Sequence, residues 1–204
     1  MKTALLDFYS SRKIFLDEID SLLVDKSLVH DREFDFSRSP IMLIGEAPGE
    51  TEVKEGRPFC GAAGKNLAKL IEASGLERKK LLITNAFAFR TFEPSKNGFK
   101  NRTPNTDELK LGASMLIQEI KIVKPKAIVL LGGSAEKAFM KIEDKTLKEA
   151  FKALQKHEIK TITYANKELL IAKTHHPSPL VFNRPDKREE LYGFFEKLNE
   201  FARE

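Results

Sequence analysis

IMLIGEAPGETEVKEGRPFCGAAGKNLAKLIEASG, residues 41–75, is the stretch that decides the fold. Ile41–Ile44 form an apolar run that reads as a short buried strand ending at Gly45. Between Gly45 and Gly64, five glycines and two prolines fall within twenty residues. Leu67, Leu70 and Ile71 then share one face of a helix over about 63–74, and Gly75 stands where a C-terminal cap belongs. Strand, glycine-rich loop and helix together make the first half of a parallel β/α unit. The loop has two readings. It is a plain strand-to-helix turn, or its glycines let the backbone come close to a ligand while its prolines limit the path.

The alternation continues on both sides. LLITNAFAF, 81–89, reads as a second strand, followed by the polar loop RTFEPSKNGFKNRTPN. Thr106 precedes a helix through about Val123, with Asp107 and Glu108 in its first turn. KAIVLLGG, 126–133, is a third strand and turn, Ser134 caps the next helix, and 145–156 is helical again. TITYANKELLIAKTHH has two β-rich runs joined at Asn166–Lys167, a hairpin whose second strand enters the central sheet. The C-terminal helix starts near Pro185–Asp186 and carries Leu191, Phe194, Phe195, Leu198 and Phe201 as one stripe. Upstream, 3–24 reads as an amphipathic helix through Leu5, Tyr9, Phe15, Ile19, Leu22 and Leu23, and 24–40 as a polar connector. Strands alternating with helices predict an α/β fold. We expect a three-layer α/β/α sandwich around a mostly parallel four-stranded sheet, one domain over 1–204.

Composition narrows the class. A chain of 204 residues can bury a substantial core, and no apolar run reaches the roughly 18 residues of a membrane span. Charges interrupt the apolar positions of the N-terminus, unlike a signal peptide, so a cytoplasmic protein with no membrane partner is expected. The single cysteine, Cys60, can form no internal disulfide; it is a small packing residue or a reactive thiol. The net charge of +5 is mild, and its clusters are more informative. Arg78, Lys79 and Lys80 are adjacent, Lys96, Lys100 and Arg102 share a loop, and Arg184, Lys187 and Arg188 follow a proline-rich turn. They are solvated faces or, beside glycine-rich loops, a footprint for a polyanion.

In parallel sheets ligands bind at the C-terminal ends of the strands. The unusual segments fall there: GEAPG after the first strand, Asn85 ending the second, GGS after the third and HHPSP after the last. Phe59 is a hydrophobic anchor or a flat platform for a nucleobase. Gly61 and Gly64 lead into a helix N-terminus, which favours phosphate or simply packs. Asn85 caps a loop or reads a base edge, since an amide donates and accepts at once. Two prolines fix the loop after His176 and aim its imidazole, which can stabilise oxyanion charge. Ser178 and the nearby N–H groups suit a phosphate.

GEAPG at 45–49, GRPFCGAAG at 56–64, Asn85, NRTP at 101–104, LLGGSA at 130–135 and HPSP at 176–179 occur in that order. In this the chain resembles the uracil-DNA glycosylase superfamily, most closely family 4, over about 40–184. The resemblance implies hydrolysis of the N-glycosidic bond of uracil in DNA, with the target nucleotide flipped into a pocket. It implies a monomer whose partner is uracil-containing DNA. Glu46 and His176 would be catalytic, Glu46 holding or activating water and His176 stabilising charge on uracil O2. Ala47, Phe59 and Asn85 would bind uracil. Gly61, Gly64, Gly133, Ser134 and Ser178 would hold phosphates, and Leu180, Val181 and Arg184 would tip the wedge that fills the gap left by the flipped base. Retention of Glu46, Asn85 and His176 favours an enzyme over a non-catalytic module for damaged or single-stranded DNA. Asn85 favours uracil over hypoxanthine or xanthine.

The chain also departs from the family. Members usually bind a [4Fe–4S] cluster through four cysteines; Phe89 stands where one of these would follow the Asn85 strand. No cofactor and no metal are therefore expected, with Phe87, Phe89 and the N-terminal helix packing in the cluster's place. The loop 91–102 is longer than the family pattern and basic. It lacks the histidine by which some relatives capture the abasic sugar covalently, so capture by that route is not expected. His175 would be structural or would orient its neighbour.

Overall fold

Ile41–Gly45 (β2) is buried at every position. It is paired on both edges and covered on both faces, and an unbroken apolar run is the sequence such a strand needs. The computed structural model describes residues 1–12, 14 and 23–203. Before β2 lie α1 (Lys2–Ser11) and a two-residue β1 (Val24–Asp25); after it come α2 (Glu50–Glu55), α3 (Ala62–Ser74) and β3 (Leu81–Asn85). Then follow β4 (Arg90–Ser95), β5 (Gly98–Asn101), α4 (Thr106–Val123), β6 (Ala127–Leu131), α5 (Gly133–Phe139) and α6 (Lys145–Ala153). The chain ends with β7 (Ile159–Tyr164), β8 (Lys167–Thr174), α7 (Pro179–Phe182) and α8 (Pro185–Arg203).

The central sheet has the order β3-β2-β6-β8-β7. β3, β2, β6 and β8 are parallel, in register from Ile41 opposite Leu81 and Ala127. β7 adds a fifth strand, antiparallel to β8, where four had been expected. It is the first arm of the expected hairpin. None of its residues is buried, which suits a sheet edge. The hairpin turns one residue earlier than the sequence suggested, with Ala165 and Asn166 both left-handed at φ 49° and 60°.

Side chains alternate across the sheet, which makes the three layers. Met42, Ile44, Leu82, Ile128 and Leu130 point into a core closed by α1, α4, α5 and α6. Ile41, Leu43, Leu81, Ile83, Val129 and Leu131 point into a second core closed by α3, α7 and α8. At the β3 edge, the buried Asp31 carboxylate accepts from the Ile83 N–H (2.9 Å) and from Arg78 (2.8 Å). That covers an edge N–H that would otherwise need water.

Several elements differ from the sequence reading. The N-terminal helix ends at Ser11, with Arg12 as its C-cap, rather than near 24. Phe15, Ile19 and Leu22 lie outside the described residues. The 81–89 strand stops at Asn85, because Ala86 and Phe87 donate to the carbonyls of Gly45 and Glu46, both at 2.9 Å, and turn the chain across the sheet. The loop 91–102 is mostly β4 and β5, an antiparallel hairpin pairing Ser95 with Gly98. Phe92 and Phe99 pack edge-on at 5.2 Å across it, and Gly98 leaves the turn at φ 109°. β1, within the supposed connector, adds a strand to this small sheet. Asn105, not Thr106, caps α4 by accepting from the N–H groups of Asp107 and Glu108, and Gly132 rather than Ser134 stands before α5.

Phe87 and Phe89 are buried in edge-to-face contact at 5.8 Å and share a core with Leu5, Phe8 and Tyr9 of α1. Beside them, buried Glu119 accepts from Tyr9 (2.6 Å), Arg12 (2.7 Å) and Thr84 (3.1 Å). The chain's one cysteine lies in the Phe59 loop, its thiol on the Arg57 carbonyl at 3.3 Å. Four thiolates are needed for a [4Fe–4S] cluster, so this residue set does not fit one.

Candidate active site

The parallel strands β2, β3, β6 and β8 end at the same rim, and their last residues bring the unusual segments together. Gly45 pairs with Asn85 across β2 and β3. A Cβ on Gly45 would lie 2.6 Å from Asn85 Oδ1 and 2.7 Å from the Phe59 ring, so only glycine admits both side chains. Phe59 itself is left-handed at φ 51°. That conformation is rare for a bulky residue and marks a loop held by its surroundings. Gly132 has φ 92°, and a Cβ there would meet His176 Cβ at 2.7 Å, so the β6 turn brings the histidine loop close. The Phe59 and His176 rings tilt against each other with centroids 5.7 Å apart.

The result is a cleft of about 460 Å³. Glu46, Ala47, Phe59, Gly61, Asn85 and His176 all line it. Asn85 is buried, and Glu46 Oε1 is buried with no hydrogen-bond partner among the described residues. Burial pushes the His176 imidazole below the usual histidine range, opposed by the nearby Glu52 carboxylate. Its neutral form is therefore favoured. A separate groove of about 520 Å³ opens beside Arg57, Cys60 and Arg78. It shares Phe59 but contains none of Glu46, Asn85 and His176.

Other expected residues sit around the cleft rather than in it. Gly64 is buried in α3, where a Cβ would meet the Phe59 carbonyl at 1.7 Å; its smallness seats the Phe59 loop on the helix. Gly133 and Ser134 are exposed in the first turn of α5. Ser178 is the N-cap residue of the short α7, whose loop is tied to α3 by Asn66 Nδ2 donating to the Pro177 carbonyl at 3.0 Å. Leu180 on α7 is 82% exposed, Val181 packs partly against the second core, and Arg184 is exposed beside Asp186 at 3.2 Å.

Sequence reasoning missed Glu52. One carboxylate oxygen accepts from the Gly49 N–H (3.1 Å) and the other from the Gly61 N–H (2.8 Å), so a single side chain ties the GEAPG loop to the GRPFCG loop. The available signal was its place three residues after Gly49, the N-cap of α2. Asn101 and Arg102 also line the cleft. Asn101 Oδ1 accepts from Arg90 Nε at 2.7 Å, and Arg102 forks onto buried Glu108 at 2.7 and 2.6 Å. The carboxylate accounts for the raised pKa of Arg102. These contacts tie the β4–β5 hairpin and the start of α4 to the cleft wall.

The profile of the uracil DNA glycosylase superfamily matches residues 32–200. The chain belongs to this superfamily. Among its relatives is the type-4 uracil-DNA glycosylase of Sulfurisphaera tokodaii, 38% identical over 170 residues, which cover 82% of this chain and 72% of that protein. The Saccharolobus solfataricus and Thermotoga maritima proteins of the same name are 36% and 33% identical. Each alignment covers 80% of this chain, and 72% and 78% of the respective relative. As a superfamily member, the chain carries the motifs of 45–64 and 176–179 at the rim where the parallel strands end.

Proposed function

We propose that this chain is a monofunctional uracil-DNA glycosylase acting in base excision repair, working as a monomer and without an iron–sulfur cluster. Family membership supports the reaction, and so do relatives that carry the name type-4 uracil-DNA glycosylase. The observation that carries the reading is the buried, unpartnered Glu46 Oε1 in one cleft with Phe59, Asn85 and His176. A carboxylate oxygen with no donor among the described residues can accept from a water that enters the cleft. A flat ring, an amide and an imidazole nearby are what a flipped pyrimidine needs.

In this reading Phe59 stacks on uracil, with Ala47 beside it, and the Asn85 amide reads its edge. As the glycosidic bond breaks, the sugar gains oxocarbenium character and uracil leaves as an anion. Neutral His176 donates a hydrogen bond to O2, where that charge gathers, and Glu46 orients and activates the attacking water. One such donor is worth about 3–4 kcal/mol. Gly61, Gly133, Ser134 and Ser178 hold backbone phosphates, and exposed Leu180 with Val181 and Arg184 fills the space of the flipped base. Gly64 acts through the Phe59 loop that it seats.

The test is single-turnover excision by His176→Ala and Glu46→Gln. Each should slow uracil release by about two orders of magnitude with DNA binding retained. A change below about threefold in both would remove these residues from the reaction.

A further inference from the structure

His175 precedes His176 in the chain, but its ring belongs to a different cluster. Its Nε2 lies 2.9 Å from Glu190 Oε2 on α8. His157, in the turn before β7, brings its Nε2 to 3.1 Å from the same oxygen. The two rings stand edge-on at 4.9 Å, and the three ligand atoms all lie within 4.8 Å of one another. We propose that His157, His175 and Glu190 form a binding site for a zinc-class divalent ion, held by two imidazole Nε2 atoms and one carboxylate oxygen.

Two of the three ligand separations are close to what such an ion needs. Zinc bonds nitrogen and carboxylate oxygen at about 2.0–2.1 Å, so two tetrahedral ligands sit roughly 3.3 Å apart. The two N–O separations, 2.9 and 3.1 Å, need to open by only a few tenths of an ångström. The contact between His157 and Glu190 is at ion-pair distance, and His157 Nε2 is buried without a well-aligned hydrogen bond among the described residues. An ion seated among the three atoms would give this buried nitrogen a partner.

The surroundings fit as well. His157 Nδ1 lies 2.9 Å from the hydroxyl of Thr174, which is 3% exposed. If Nδ1–H donates there, Nε2 is left as the ligand, the usual way a second contact fixes the metal-binding tautomer. Lys187 bonds Glu190 Oε1 at 2.7 Å and leaves Oε2 to the histidines. Burial holds both imidazoles below the usual histidine range, and the Lys187 hydrogen bond, with His175 behind it, brings the Glu190 carboxyl down to about 2. The backbone of His157 is left-handed at φ 64° and is pinned by its N–H to the Lys173 carbonyl at 2.8 Å. Two imidazoles and a carboxylate with a place left for water suit zinc, cobalt or nickel better than magnesium or calcium.

The ligands come from a turn, a strand end and the last helix. An ion here would clamp α8 to the end of β8, one residue before His176. The positions 157, 175 and 190 have no motif spacing, and the expectation of no metal rested on the missing cluster cysteines alone.

The experiment is equilibrium dialysis of the chelator-stripped full chain against zinc chloride, with metal analysis, for wild type, His157→Ala and Glu190→Gln. One zinc per wild-type chain is expected, with affinity falling by about tenfold or more in each variant. Glu190→Gln preserves side-chain size, and the metal-free melt of each variant reports its fold. Cobalt substitution of the wild type gives a reading that depends on no variant: four- or five-coordinate cobalt absorbs visible light strongly, and the aquo ion weakly. No zinc uptake above buffer, binding unchanged in both variants, or an aquo-like cobalt spectrum would overturn the site. None of these readouts uses DNA, so the outcome is independent of excision.

Discussion

Glu119→Gln tests how α1 is held to the core beneath the central sheet. The Glu119 carboxylate is 0% exposed and accepts from Tyr9, Arg12 and Thr84 at 2.6, 2.7 and 3.1 Å. Arg12 is 2% exposed, its guanidinium 4.3 Å from the Tyr9 ring centre. Glutamine keeps one acceptor oxygen but removes the charge and turns an NH₂ toward donors, leaving a buried cation without its counterion. Breaking a buried pair from one side costs about 3–5 kcal/mol. In a protein of this size each kcal/mol moves the melting midpoint by about 2–4 °C, so Tm should fall by about 6–20 °C. Thermal unfolding followed by far-UV circular dichroism reads the shift. The variant Tyr9→Phe/Arg12→Met/Thr84→Val/Glu119→Leu should recover much of the loss, because it leaves neither a buried charge nor an unpaired hydroxyl at the site. A Tm within about 2 °C of wild type for Glu119→Gln would refute the assignment of this network as the local brace.

Three other outcomes are expected. Glu52→Ala removes the bridge between Gly49 and Gly61, so stability should drop by about 1.5–3 kcal/mol and excision with it; urea unfolding with unchanged midpoint would deny the bridge. Gly45→Ala should leave a folded protein but displace Asn85 and Phe59 by ångströms, lowering excision by about 100-fold, and wild-type rates would show the contact to be idle. Tyr164 donates to Asp144 at 2.7 Å, and burial with that carboxylate raises its phenol to about 12. A raised folded pKa adds stability that is full below the unfolded value near 10 and is lost as pH rises through about 12. Tyr164→Phe should remove that step from an alkaline absorbance titration, and persistence of the step would assign it to another group.

The layers and the rim were legible because burial writes itself as continuous apolar runs. Ile41–Ile44, Leu81–Thr84 and Ala127–Leu131 could be little else than parallel strands. The fifth strand was harder, since Ile159–Tyr164 has a polar outer side and its place depends on β8. The β4–β5 hairpin was read as a loop from its polar residues, although Asn97–Gly98 is a hairpin signal. Its partners are cross-strand, and Phe92 and Phe99 meet only once the turn forms. Phe59, Asn85 and His176 were found because each stands in a motif past a strand. Glu52 was not, because a carboxylate in a charged helix looks solvated until two backbone N–H groups converge on it. Gly64 was read as a phosphate holder, yet it faces the Phe59 carbonyl, a contact that no local pattern encodes.

The measurement that tests the central claim most directly is excision by the wild-type chain on end-labelled oligonucleotides carrying one uracil, single-stranded or opposite guanine or adenine. Free uracil should be released, and the strand should break at that position only after alkali, the mark of a monofunctional glycosylase. Strand breakage without alkali would contradict the monofunctional reaction. Clear DNA binding with no uracil release would contradict the enzyme itself and leave a binding module built on the same fold.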